Sequence, residues 1–337
     1  MTMCCFRGFA FTNYESRITN YGFFMSEMIA TRDAYGKALV ELGRENSRVV
    51  ALDADLSGST KTAMFGKEFP ERFFNAGIAE ANMVGMAAGL AAGGMIPFAS
   101  TFAVFAAGRA FEQIRQSLAY PKLNVKVVAT HGGITVGEDG GSHQSVEDLA
   151  IMRALPNMTV LCPADGPETA AAIRAAAAYH GPVYIRLGRS KVPVVFEGGC
   201  DFAIGRGATL RDGSDLTFIT TGLMTAQALD AAKILEEGNV SARVVHLGSI
   251  KPLDVDLVLK AARETGAVVT AEEHSVVGGL GGAVCEVLSE GYPVPVERVG
   301  LRDVFGQSGT AEELLAHYGL TAGHLVEAAE RVLQKKK

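Results

Sequence analysis

The sequence predicts an α/β protein of two successive units, the first a parallel sheet with helices on both faces and the second a smaller α/β unit. Two observations carry this reading. Short apolar segments alternate with stretches of helical period from Thr31 nearly to the end, and the alternation breaks once, around 190–207, before starting again. The length of 337 residues suits about two domains. The expected division is an extension 1–24 ahead of Met25, a first domain 25–195, a linker 196–206 and a second domain 207–337.

Regular structure begins at Thr31, read as an N-cap before RDAYGKALVELG, with Gly43 as the stop. The buried strand RVVALDADL follows, then RFFNAG, a helix through AEANMVGMAAGLAAGG, the strand MIPFAST and a helix through FAVFAAGRAFEQIRQSLAY. VKVVATH leads into the loop GGITVGEDGGSHQS, a helix through VEDLAIMRAL and the strand MTVLCPA. Asp165 and Glu168 have capping-box spacing with Pro167 in the first turn, so an alanine-rich helix starts there and gives way to VYIRLGR. KVPVVFEGGCDFAIGRG holds Pro and Gly without a helical period, as a linker does. The second unit reads LTFITTG, TAQALDAAKILEEG, SARVVHLG, DVDLVLKAARETG, AVVTAEEH, GGLGGAVCEVLSEG, VPVERVGL and a closing helix in AEELLAHYG.

Composition narrows the function classes. Thirty-one basic against 37 acidic residues leave a net charge of −6, so no basic field exists to hold a nucleic-acid backbone or an anionic membrane. Five scattered cysteines (Cys4, Cys5, Cys162, Cys200, Cys285) lack CxxC spacing, which argues against a disulfide scaffold or zinc site and fits a reducing cytoplasm. Residues 81–108 carry no charge and pass the length test for a membrane span. Their Ala and Gly content, the Gly93-Gly94 breaker and Pro97 read instead as helix, strand, loop and helix buried in a soluble domain. Residues 1–24 lack the continuous apolar core of a signal peptide.

In an open parallel sheet, ligands bind beyond the carboxyl ends of the strands. Asp53 and Asp55 end RVVALDADL, His131 ends VKVVATH and Arg189 ends VYIRLGR, while the loop after His131 adds Glu138, Asp139 and His143 to the same edge. Glu80 opens an otherwise apolar helix, where a lone carboxylate is costly unless paired or protonated. Taken singly, Glu80 is a helix N-terminal acid, each histidine a structural one and Arg189 a surface residue; their common edge is what separate accidents explain poorly. GGLGG at 278–282 opens a helix, a pattern that serves both phosphate binding and close packing. His274, after two glutamates, reads as structural or interfacial.

GIAEANMVGMAAGLA, TFAVFAAGRAFEQIR, ATHGGITVGEDGGSHQSVEDLAIMRALPNMTVLCPAD and YIRLGR together resemble the pyrimidine-binding domain of transketolases, and SIKPLD, VVTAEEHSVVGGLGGAV and FGQSGTAEELLAHYGL resemble the transketolase carboxyl-terminal domain. The resemblance runs from about Met25 to the end. It lacks the family's diphosphate-binding domain with its GDG and Asn; RDGSD at 211–215 imitates that motif, but Arg211 replaces the first Gly and Asp212 precedes its strand. The resemblance therefore implies the carboxyl-terminal subunit of a split, two-subunit transketolase, active only with an amino-terminal partner that binds Mg2+ or Ca2+ and shares the thiamine diphosphate, in a dimer of heterodimers. It implies ketol transfer between sugar phosphates, as in pentose phosphate metabolism.

Residue by residue, the resemblance implies that Glu80 hydrogen-bonds the ring nitrogen of the aminopyrimidine, its burial keeping a proton available there. Phe102 and Phe105 match the aromatics packed on that ring, with Ile78 and Leu56 as apolar neighbours and Asp55 as a cofactor-side acid. Asp139 and His143 match residues that bind sugar hydroxyls, and His131, Arg189, Arg32 and Ser59 match the set holding the substrate phosphate. Gly108 departs from the pattern, standing where the family often has a third aromatic. Two sister families share the architecture, 1-deoxyxylulose-5-phosphate synthase and the beta subunits of 2-oxo acid dehydrogenases; HQSVED and GEDGGSHQ respectively argue against them. A catalytically silent assembly subunit is the non-enzymatic alternative.

Overall fold

The computed structural model describes residues 27–336, so the extension 1–24, with Cys4 and Cys5, lies outside the described residues. The strands are Met28–Ala30 (β1), Val49–Asp53 (β2), Phe73–Asn75 (β3), Ile96–Phe102 (β4), Lys126–Thr130 (β5), Thr159–Leu161 (β6), Val183–Arg186 (β7), Lys191–Pro193 (β8), Ala208–Arg211 (β9), Leu216–Thr220 (β10), Ala242–His246 (β11), Ser249–Lys251 (β12), Val268–Ser275 (β13) and Val296–Leu301 (β14). They form a seven-stranded sheet in the order β12-β6-β7-β5-β4-β2-β3, a five-stranded sheet in the order β14-β13-β10-β11-β9, and the pair β1-β8. All neighbours in the larger sheet are parallel except β12 on β6, and in the smaller sheet all except β9 on β11.

The apolar runs are continuous because both faces of each sheet are covered. Along β2, Val50 and Leu52 enter one core with Ala99 of β4 and Val127 and Ala129 of β5. Val49 and Ala51 enter the opposite core with Phe98, Val128 and Ile185. The smaller sheet repeats this, with Phe218 and Val244 on one side and Ile219 and Val245 on the other.

Several local expectations change. The first helix spans Thr31–Glu45 and its N-cap is Ala30; the Thr31 hydroxyl instead accepts from the Gly188 N–H at 2.8 Å. Gly43 is no stop but a buried helical residue, where a Cβ would meet the Phe65 ring at 2.5 Å. The segment after β4 is broken into Ala103–Gly108, Phe111–Gln113 and a π-helical turn Ile114–Ala119. The Glu80–Ala92 helix is not buried all round, since Asn82, Gly85 and Gly89 on one face are exposed. A helix Ala322–Lys335 follows Ala311–His317, which is therefore not the closing one. Among the described residues no helix is long and apolar enough to cross a membrane.

The two units are knitted together. SIKPLD supplies β12, which joins the edge of the first sheet, and β8, in the Pro-containing stretch before 196, pairs with β1. Asp165 caps the Gly166–Ala178 helix, accepting from the Glu168 N–H at 2.8 Å, but the box does not close. Glu168 accepts instead from the Ala164 N–H at 2.6 Å and meets His246 Nε2 of β11 at 2.9 Å. His274 is interfacial, its Nε2 accepting from the Ala150 N–H at 3.3 Å. Beneath these, the buried Arg186 lies 3.2 Å from Asp148 and donates to the carbonyls of Ser145 and Glu273.

Arg186→Met removes the cation while filling its space and leaves Asp148 unpaired in the interior. The expected cost is about 3–5 kcal/mol of folding stability, read by chemical denaturation; a loss under about 1 kcal/mol would mean that the pair does not hold the seam.

Candidate active site

The carboxyl ends of β2, β4, β5 and β7 gather most of the polar residues singled out above. At the end of β4, Phe102 and Phe105 lie nearly parallel, 5.7 Å between centroids, because the chain turns there from strand into the Ala103–Gly108 helix. His131, just past β5 with a left-handed φ of 58°, stacks on Phe102 at 3.8 Å. His143 sets its edge toward Phe105 at 5.6 Å and Phe102 at 6.4 Å. Four rings from three segments thus form one wall.

His131 is buried, and its Nε2 lies 3.3 Å from Arg32 Nη1. A guanidinium only donates, so Nε2 accepts and Nδ1 carries the proton toward Thr130 Oγ1 at 2.9 Å. Burial, with Arg32 and Arg189 beside it, pushes its pKa down to about 3. Arg32 also donates to the Ser59 carbonyl at 3.1 Å. Burial lowers the Arg32 pKa, and the nearby charge of Arg189 lowers it further. Arg189 donates to the Val136 carbonyl and faces Glu138 at 3.4 Å and Asp139 at 3.5 Å. Arg32, Ser59, His131 and Arg189 therefore converge as one cationic corner.

Glu80 is 4% exposed at the first turn of its helix, and it is not alone. Arg109 Nη1 lies 3.3 Å from Glu80 Oε1, with its guanidinium 4.4 Å above the Phe105 ring. Space is open outside Gly108, and it is the neighbouring Arg109 that covers the ring. Sequence reasoning missed Arg109: 29 positions separate it from Glu80, and its only signal is being the first charge after a long uncharged run.

Other residues stand apart from this network. Asp53 is buried and shapes the following loop, accepting from Thr60 Oγ1 at 2.6 Å and Thr62 Oγ1 at 2.8 Å, and burial pushes its carboxyl pKa up. Asp55 is exposed and bonded to Asn75, Leu56 is half-buried, and Ile78 is 77% exposed. GGLGG is a packing device: Glu272 accepts from the N–H groups of Leu280 at 2.6 Å and Gly281 at 2.8 Å, occupying the helix start. Among the described residues no three His, Cys, Asp or Glu side chains group as a metal would need.

This arrangement defines an α/β protein whose first sheet carries at its carboxyl edge an aromatic wall, with a buried carboxyl on one side and the arginines of the corner on the other. Comparisons with known proteins agree. The transketolase pyrimidine-binding domain family matches residues 27–195 and the transketolase carboxyl-terminal domain family matches 205–325. A protein of Methanocaldococcus jannaschii named as a transketolase C-terminal section is 54% identical, the match covering 91% of this chain and 96% of that protein. The 6-deoxy-6-sulfo-D-fructose transketolase subunit SqwH of Clostridium sp. is 45% identical over 90% of this chain and 95% of its own length. A solved structure described as a split gene transketolase, inactive beta4 tetramer, is 61% identical with a TM-score of 0.87, covering 92% of this chain and all of that one. The chain belongs to the transketolase family and comprises its pyrimidine-binding and carboxyl-terminal domains.

The unfolded imidazole takes up a proton near pH 6.5, and His131 in the fold only near about 3. Its contribution to stability is therefore complete above about pH 6.5 and is lost progressively as pH falls toward 3. The His131 ring resonances are expected to stay flat in an NMR titration between about pH 7.5 and 5, and His131→Phe to flatten the acid loss of stability. A His131 titration centred near pH 6.5 would contradict the neutral assignment.

Proposed function

We propose that this chain is the carboxyl-terminal subunit of a two-subunit thiamine-diphosphate-dependent transketolase that moves a two-carbon ketol unit from a ketose phosphate to an aldose phosphate. The carrying observation is the half-built site: a buried Glu80 beside the Phe102–Phe105 wall, opposite the corner of Arg32, Ser59, His131 and Arg189. Relatives spanned almost end to end by this chain, and named as a section, a subunit or a split-gene product, support the two-subunit reading. So does the exposed Asn82-Gly85-Gly89 face of the Glu80 helix, whose small residues let another subunit approach closely in a dimer of heterodimers.

The residues present fit the pyrimidine half of the cofactor. Glu80 would hold the ring nitrogen and Phe102 and Phe105 would wall the ring, while Asp55, Leu56 and the exposed Ile78, proposed from the family pattern as its neighbours, stand outside that wall in this structure. Bound thiamine diphosphate supplies the electron sink for carbon–carbon cleavage. Its diphosphate and metal fall to the partner. Arg109 must yield Glu80 when the ring arrives. Asp139 and His143 orient sugar hydroxyls, Arg32 and Arg189 take the anionic end with charge-assisted bonds, and Ser59 and neutral His131 fix Arg32. The relative named for a sulfonated fructose also handles a sugar with an anionic end, the feature that this corner selects.

The test is aldehyde release from xylulose 5-phosphate with ribose 5-phosphate, thiamine diphosphate and Mg2+, by this chain alone and with an amino-terminal transketolase subunit. Turnover is expected only in the mixture, and equal turnover by the chain alone overturns the split site. In the mixture, Glu80→Gln is expected to lower kcat by about 100-fold or more; unchanged turnover would make this a silent assembly subunit. Arg189→Leu is expected to raise KM for phosphorylated ketoses about 10- to 100-fold, the worth of a charge-assisted hydrogen bond, while sparing an unphosphorylated donor. Equal effects on both donors would remove Arg189 from the anion corner.

A further inference from the structure

The loop bearing Asp139 and His143 is gripped by the carboxyl-terminal domain at one buried side chain. Gln144 is 3% exposed, and the two hydrogens of its Nε2 are shared among the carbonyls of Ile134 at 3.1 Å, Gly137 at 3.2 Å and Gln307 at 3.0 Å. The first two belong to its own loop and the third to the other domain. The amide orientation follows from this, since a flip would aim Oε1 at three carbonyl oxygens. Oε1 is buried without a hydrogen-bond partner, lying where a Cβ on Gly306 would come within 1.7 Å.

The two loops fit together along their length. A Cβ on Gly141 would come 2.5 Å from the Gly306 carbonyl oxygen, and one on Gly140, at φ 74°, 2.6 Å from Ser308 Oγ. The carboxyl-terminal loop is itself held from behind: Tyr318 donates to the Phe305 carbonyl at 3.1 Å, and Thr310 closes a capping box with Glu313 on the Ala311–His317 helix. That helix packs on the Ile134–Val136 turn from which the gripped loop departs. A braced segment thus bears on the loop, which also meets Arg189 through Asp139 at 3.5 Å.

We propose that Gln144 is a positioning residue, seated by Gly306 and the Gln307 carbonyl, through which the carboxyl-terminal domain sets Asp139 and His143 for the hydroxylated part of the sugar. This rests on the reading that the loop meets substrate. Gln144 is buried and touches the loop and the brace, so its effect is on binding geometry.

The test uses the assembled pair with Gly306→Ala, Gln144→Ala and the double variant. Each single change is expected to raise KM for the ketose by about tenfold or more, as a displacement of about 1 Å at the loop does. The fall in kcat is smaller. The double variant is expected to be no worse than Gln144→Ala, because the added methyl enters the space that the amide left. Gln144→Glu turns a carboxylate on the same carbonyls, so its KM should improve as pH falls and the acid regains a donor. If Gly306→Ala fails to fold, the two Gln144 variants decide by the same KM and pH readouts. A wild-type pair without ketol transfer overturns the underlying reading; an active pair whose folded variants keep KM within about twofold overturns the brace alone.

Discussion

One buried guanidinium carries the seam on which the site is built. Arg186, at the end of β7, pairs with Asp148 and donates to backbone carbonyls on both sides, Ser145 in the first unit and Glu273 in the second. Glu273 in turn accepts from the Thr135 N–H at 2.6 Å, at the start of the loop that carries Asp139 and His143. Tyr184 donates to the same Asp148 at 2.8 Å, so the ion pair is also bonded to the sheet beneath it. A charge buried this deeply is tolerable only when its partners are fixed. The two units therefore have one register, and the loop between them inherits it.

Above that seam the site is assembled by stacking as much as by charge. Burial and the neighbouring Arg32 keep the His131 imidazole neutral, and its stack on Phe102 ties the aromatic wall to the cationic corner. Glu80 reaches the same wall from another helix, through an arginine that lies over Phe105. On the same helix the face of Asn82, Gly85 and Gly89 is exposed, and a Cβ on either glycine would meet nothing within 4 Å.

Much of the fold was legible because a parallel sheet covered on both faces leaves unbroken apolar strands, as in VVALD of β2 and LTFIT of β10. The common edge of His131, Asp139, His143 and Arg189 followed from where those strands end. What failed was decided by tertiary contact. Gly43 punctuates a helix locally, but the rings of Phe65 and Phe69 make it a packing position. Ser249–Lys251 is too short to distinguish from a loop, and only its place beside β6 makes it a strand of the other unit. Glu168 had half its predicted role, because His246 and the Ala164 N–H compete for its carboxylate. The neutrality of His131 and the Glu80–Arg109 pair depend on burial and on chain segments that no local pattern brings together.

In the proposed reading this chain holds half of a cofactor site. Equilibrium dialysis of thiamine diphosphate with Mg2+ tests it most directly, comparing this chain alone, an amino-terminal transketolase subunit alone and their mixture. Retention by the mixture is expected to exceed the sum of the separate subunits well, and to be lost when Glu80 is replaced by Ala. Retention by this chain alone as tight as by the mixture would contradict it.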